Sequence, residues 1–303
     1  MSVDDLKNSE HRFILDGQAE VKQISPTLLA WISLPVIFII YQGLGSVLVL
    51  FLGNPDLSVD INGTRISQGL AQLFFLILPV YLLTLLHTRQ VFDYTYLKNS
   101  RLPSVAWILI PVSIVAIQPF IQTIGYAERQ IPWPDQLLAL RDQLEGMMKL
   151  LVTANGVTEL LLIVLVVSVI PAFAEEFYFR GYLLRNFSRT HTPTVTVVLT
   201  GTLFGLFHFN LFQITGLILL GIYFSFLVWY FQSLWAGILA HFTNNFLAVM
   251  IYYLSSQMNL AVPLDDPDYS FPLAAVAVSL VLFGLLLWGL LNSGKQQPKP
   301  SGG

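Results

Sequence analysis

Long apolar runs interrupted by short polar ones dominate the chain. Stretches free of Asp, Glu, Lys and Arg run from Gln23 to Pro55, Ile66 to His87, Leu102 to Ala127 and Tyr269 to Gly294. A shorter one ends just before Glu175, and the longest lies between Arg189 and Asp265. Since about 20 apolar residues cross the hydrocarbon of a bilayer as a helix, the longest stretch has room for three. The pattern predicts an all-α, polytopic helical bundle of eight spans at about 27–52, 66–87, 104–124, 157–187, 194–210, 211–232, 233–255 and 271–292. A polar N-terminal segment over 1–25 precedes the membrane domain, 26–293, and a disordered Pro/Gly-rich tail over 294–303 follows it. The run after residue 25 is too long for a signal peptide and is expected to remain as the first helix.

Between the third and fourth predicted spans the period changes. From Asp135 to Leu151, residues Leu137, Leu140, Leu144, Met147, Met148 and Leu151 share one helical face, and Arg141, Asp142, Glu145 and Lys149 occupy the remainder. This is the pattern of an amphipathic helix lying in the membrane interface, either a packed lid or a gate. Basic residues set the expected orientation. Arg89, Lys98 and Arg101 fall between spans two and three, Arg185 and Arg189 between four and five, and Lys295 and Lys299 in the tail. Eight alternating spans put all of these on one side, which places both termini in the cytoplasm. The loop with Asp265, Asp266 and Asp268 falls on the other side.

Composition agrees: of 303 residues 55% are hydrophobic and only 11% charged, with a mean hydropathy of +0.67. Soluble domains carry about 25% charged residues, so this is an integral membrane protein. Cysteine is absent, which removes disulfides, a thiol nucleophile and cysteine-bound zinc. A net charge of −3 offers no basic surface for nucleic acid.

Against this background a few polar residues stand out: Glu175-Glu176-x-x-x-Arg180, Phe204-x-x-x-His208 and His241-x-x-x-Asn245. Ionisable groups at membrane depth are expensive and mark functional sites by default. Arg180 is four residues beyond Glu176, where a carboxylate and a cation face each other on a helix. Glu175, about 100° round the helix, is left without an obvious partner, and an unpaired carboxylate in low dielectric suits a general acid or base. Both glutamates could instead belong to a polar cluster that locks helices together. Small residues Gly201, Gly205 and Gly237 on the histidine-bearing faces allow close helix approach. With the turn between spans four and five at His191 to Pro193, Glu175 lies about 17 residues before it and His208 about 16 after, so the two face each other at similar depth. His241 does not fit that arithmetic. Span six must be tilted or broken near Gly216 or Gly221, or the turns lie elsewhere.

The three ordered motifs resemble those of the intramembrane CAAX proteases and bacteriocin-processing enzymes, the CPBP family, which includes the eukaryotic Ras-converting type II CAAX prenyl endopeptidase. The resemblance covers Pro171 to Asn245 specifically and the eight-span layout more loosely. It implies a membrane endopeptidase of a bacterial-type plasma membrane, acting on a membrane protein or peptide. It further implies that Glu175 and His208 activate the attacking water and that His241 and Asn245 stabilise the oxyanion. Glu176, Arg180 and Phe204 fall at supporting positions, and Asn244 offers a second amide. No cofactor is firmly implied. Zinc held by Glu175, His208 and His241 is an option, but the zincin HExxH signature is missing, which favours a metal-free glutamate mechanism. Two other functions compete: a non-catalytic membrane scaffold or immunity/regulatory protein of the same fold, and a transporter using Glu175 and His208 as a proton relay, which the lack of an internal repeat disfavours.

Overall fold

The computed structural model describes residues 25–52, 61–98, 102–258, 264 and 266–295. The predicted N-terminal segment to residue 24, Arg101, Asp265 and the tail from residue 296, with Lys299, lie outside the described residues. The described chain is helical throughout: α1 Pro26–Leu52, α2 Ile61–Leu85, α3 Val91–Tyr94, α4 Ala106–Arg129, α5 Asp135–Val152, α6 Val157–Phe187, α7 Pro193–Phe207, α8 Ile214–Phe231, α9 Leu234–Met258 and α10 Leu273–Lys295. No strand occurs among the described residues. Two apolar clusters meet at the centre. One joins α1, α2, α6 and α7 around Tyr178, Phe179 and Tyr182, and the other joins α4, α8, α9 and α10 around Phe224, Leu227 and Phe231.

Seven of these helices are long and apolar enough to span a membrane, which makes the protein a polytopic helical bundle. The expected fifth span is shorter than predicted. α7 has 15 residues, about 22 Å of helix, against roughly 30 Å of hydrocarbon. Pro193 at its first position and the Thr192 side chain, which accepts from the Val195 N–H at 3.5 Å, start it, and it ends just before His208.

α2 begins five residues earlier than its apolar run and thereby includes Arg65, which is fully buried. A buried guanidinium needs every donor engaged, and this one has them. It donates to the carbonyls of Leu150, Leu151 and Thr153 and to Asn62 Oδ1, with Glu159 at 3.7 Å. The carbonyls it collects are those that the end of α5 leaves unpaired, so Arg65 ties the amphipathic helix to the start of α2 and α6. Leu140, Met147 and Met148 on α5 remain 40–54% exposed, as an interfacial helix requires.

The loops predicted to share one side do so: Arg185 Nε donates to the Tyr94 carbonyl at 2.9 Å, and its guanidinium lies 4.0 Å from the Tyr96 ring centre. At the other end, Arg129 reaches both Glu145 of α5 and Asp268.

Candidate active site

α6 carries the carboxylates. Pro171 follows a π-helical turn over Val164–Val169, and a second such turn covers Phe177–Leu184. Between them Ile170–Glu176 is regular α-helix, which holds Glu175 and Glu176 on different faces. Such widened turns recur at functional sites.

Glu176 and Arg180 pair as their spacing predicts, with Nη1–Oε1 at 2.5 Å and both side chains fully buried. Arg180 also donates to Ser225 Oγ at 3.1 Å and to the Gly221 carbonyl at 2.7 Å, and its guanidinium sits 4.5 Å above the Phe204 ring. Glu176 has a second partner: His241 Nδ1, at 3.0 Å from the same Oε1. The other Glu176 oxygen lies where a Cβ on Gly237 would be 2.5 Å away, so glycine at that position gives the carboxylate its space.

Glu175 is differently placed. Its Oε2 is buried, has no hydrogen-bond partner among the described residues, and lies 3.6 Å from His208 Nε2 and 4.0 Å from His241 Nε2. The tautomers follow from the other ring nitrogens. His208 Nδ1 is 2.8 Å from the Phe204 carbonyl, which can only accept, so Nδ1 carries the proton. His241 Nδ1 faces a carboxylate and donates to it. In each neutral ring the Nε2 lone pair then turns toward Glu175.

The two glycines Gly201 and Gly221 have a steric purpose. A Cβ on Gly201 would stand 2.3 Å from Ile222 N, and one on Gly221 2.5 Å from the Gly201 carbonyl, so α7 and α8 touch backbone to backbone. α8 runs unbroken from Ile214, which excludes the break proposed near Gly216 or Gly221. Side chains close the gap to His241 instead. The His208 ring folds back one turn onto Phe204, at 4.7 Å between ring centres, and Phe204 meets His241 edge-on at 5.6 Å. Phe224 stacks on His241 at 5.5 Å. Phe204 therefore contacts Arg180 and both histidines, beyond the packing expected of it. The start of α9 is also fixed independently, by Leu234 N–H donating to the Tyr96 carbonyl and Trp235 Nε1 to that of Leu97.

Asn245 is held one step away: Nδ2 donates to the Val167 carbonyl at 3.1 Å, within the first π turn of α6. Asn244 continues the chain by donating to Asn245 Oδ1 at 3.3 Å and accepting from Gln118 Nε2 at 3.1 Å. Among the described residues no hydrogen bond joins Asn245 to Glu175, His208 or His241. Gln118, Ser225 and Tyr41, which interacts electrostatically with Glu175, have no place in the motifs. Of these, Gln118 stands out in the sequence as an amide inside an otherwise apolar run.

Glu175, His208 and His241 supply the chemistry of a zinc site, including an oxygen acceptor behind each imidazole. Their spacing does not fit one. Bonds of about 2.0–2.2 Å at tetrahedral angles put ligand atoms about 3.3–3.6 Å apart, less than the 4.0 Å between Glu175 and His241. Among the described residues no group of three His, Cys, Asp or Glu has a metal-binding arrangement.

The fold and centre define a polytopic membrane protein with two glutamates and two histidines brought together inside a helical bundle. Residues 157–247 match the family described as Rce1-like, type II CAAX prenyl endopeptidase Rce1-like. That segment runs from the start of α6 into α9 and contains all three motifs, so the similarity falls on the part of the chain that carries the site. A match of this kind supports an intramembrane CAAX-type protease. The chain is also 24% identical over 271 residues to the uncharacterized protein YyaK of Bacillus subtilis (strain 168), covering 80% of this chain and 84% of that protein. No solved structure matches.

Proposed function

We propose that the protein is an intramembrane endopeptidase that hydrolyses a peptide bond of a membrane-associated protein or peptide, with its basic loops and both termini in the cytoplasm. The observation that carries this reading is the unpartnered Glu175 oxygen between two imidazole nitrogens at 3.6 and 4.0 Å. Two acceptors that face each other call for a donor between them, which a water supplies. Such a water donates its protons toward Glu175 and His208 and keeps an oxygen lone pair for the scissile carbonyl. Glu175 takes one proton as the new C–O bond forms. The same proton then passes to the amide nitrogen as the C–N bond breaks, so the centre ends as it began.

The oxyanion falls to His241 and Asn245. His241 gives Nδ1–H to Glu176, so Nε2 is a donor in the imidazolium form. Asn245 spends one N–H on Val167 and has a second to offer. Preorganised donors of this kind lower the barrier without reorganising during reaction. No step passes through a metal, because the donors are too widely spaced for one.

Comparison of membrane-protein termini between wild type and a Glu175→Ala strain tests the proposal. New termini present only in wild type are expected, and identical termini in the two strains would refute it.

A further inference from the structure

Buried polar atoms without partners point to groups the structure lacks, and the Glu175 centre is not the end of the series. Gln72 on α2 is 7% exposed, and its Oε1 is among the buried side-chain oxygens with no hydrogen-bond partner. Native interiors leave few such atoms. Tyr41 on α1 is the polar side chain beside Gln72, and it in turn feels the charge of Glu175. With the amide nitrogen turned to Tyr41, the carbonyl oxygen is left over as an acceptor.

Three further features tie this pair to the centre. The Tyr41 ring stacks on Phe207, the residue before His208, with 6.4 Å between centres and 12° between planes. α1 and α2 approach closely beside the pair, where a Cβ on Gly45 would lie 3.3 Å from Ala71 Cβ. Tyr41 lies within the π turn Ile40–Leu44, and Gln72 immediately precedes the π turn Leu73–Ile77, the same device that flanks Glu175 and that often accompanies function.

A lone neutral acceptor, buried on the helix pair beside the proposed peptidase centre, matches a lone neutral donor. We propose that Gln72 Oε1 accepts a backbone N–H of the substrate from a peptide unit beside the scissile bond, with Tyr41 as the positioning residue that fixes the amide for it. The inference rests on the endopeptidase reading. It makes α1 and α2 part of the substrate channel and gives the enzyme a grip on main chain that is independent of side-chain identity.

The test replaces single substrate amides by esters, which removes one N–H at a time. Full-length protein in liposomes is given a lipid-anchored fluorogenic decapeptide, in prenylated and unprenylated versions, and an ester scan of three peptide units on each side of the cut. In wild type one ester is expected to lower kcat/KM about 10- to 100-fold. In Gln72→Leu and Gln72→Met that penalty falls to within about threefold, because the partner is already missing; in Tyr41→Phe, which frees the amide to turn, it falls partway. A Gln72 whose contribution is only structural would lower all rates and leave the ester penalty intact, and that outcome overturns the inference. So does a wild-type scan in which no ester costs more than about threefold, a result that needs no variant to fold. Failure of wild type to cut either all-amide parent is a separate outcome that removes the endopeptidase reading and this inference with it.

Discussion

Glu175 Oε2 and His208 Nε2 stand 3.6 Å apart, and the glutamate oxygen has no hydrogen-bond partner among the described residues. The gap is set from both sides. On α6, two π turns isolate a short regular segment that carries Glu175. Just beyond α7, the Phe204 carbonyl holds the His208 ring by its far nitrogen. The imidazole cannot close on the carboxylate without giving up its bond to the Phe204 carbonyl.

If the pair acts as a unit on one water, removing either member removes the same function. Glu175→Gln and His208→Ala are each expected to lower turnover about 10²- to 10⁴-fold. The double variant should be little worse than the more severe single one. Steady-state cleavage in liposomes, with KM compared across the four proteins, checks this; additive losses would show that the two residues act in separate steps.

The neighbouring carboxylate predicts a change in stability instead. Glu176 is matched by Arg180 with both side chains fully buried, and breaking a buried pair by truncating one partner costs about 3–5 kcal/mol because the other charge is stranded. Arg180→Met should therefore lower the thermal midpoint in detergent sharply, and adding Glu176→Gln should recover much of the loss. A double variant no more stable than Arg180→Met would show that the arginine's bonds to Ser225 and Gly221, rather than the ion pair, dominate.

Much of this division of roles is legible in the sequence. The four-residue spacing of Glu176 and Arg180 points to their pairing, and marooned polar side chains in charge-free runs point to the site. The pairing of His208 with Glu175 follows from equal distances to a turn. Three things are hidden. Helix α7 ends three residues before the predicted span does, which its apolar composition does not reveal, because hydropathy reports what a segment tolerates and not where it stops. The start of α2 is masked because Arg65 looks like a boundary unless its carbonyl partners on α5 are known. The approach of His241 does not follow from helix rise, because a folded-back imidazole and the Phe204 ring, rather than backbone, bridge the distance.

Backbone contact between α7 and α8 gives a third expectation. Gly201→Ala or Gly221→Ala forces a methyl to within 2.3–2.5 Å of main-chain atoms, which only helix separation relieves. Because α7 leads directly into His208, displacement by about 1 Å should reduce activity on the order of 10²-fold. Gly284→Ala, where nothing lies within 4 Å, should leave activity and thermal midpoint unchanged. Unchanged activity in both contact variants would mean that the hairpin does not position the histidine.

His87, in the loop after α2, supplies a pH dependence. Burial first, and the nearby positive charge of Arg189 second, hold its imidazole below the usual value of 6.5. The unfolded chain therefore binds this proton more readily than the folded one. The corresponding stability is fully present above about pH 6.5 and is lost as pH falls through that value toward the folded pKa. The fall in thermal midpoint between pH 8 and pH 5 should be smaller in His87→Gln than in wild type; an equal fall would assign the effect to other groups.

Metal dependence follows from spacing. Closing Glu175, His208 and His241 onto one ion requires the 4.0 Å separation to shrink by about 0.5 Å, yet His241 is gripped by Glu176 behind it and stacked by Phe224 beside it. A ring held on two sides resists that shift. Prolonged chelation of purified protein is accordingly expected to leave cleavage unchanged, with less than one zinc per several chains by elemental analysis. Stoichiometric zinc, lost in step with activity and restoring it on return, would show instead that the centre contracts around a metal, and would transfer water activation from Glu175 to the ion.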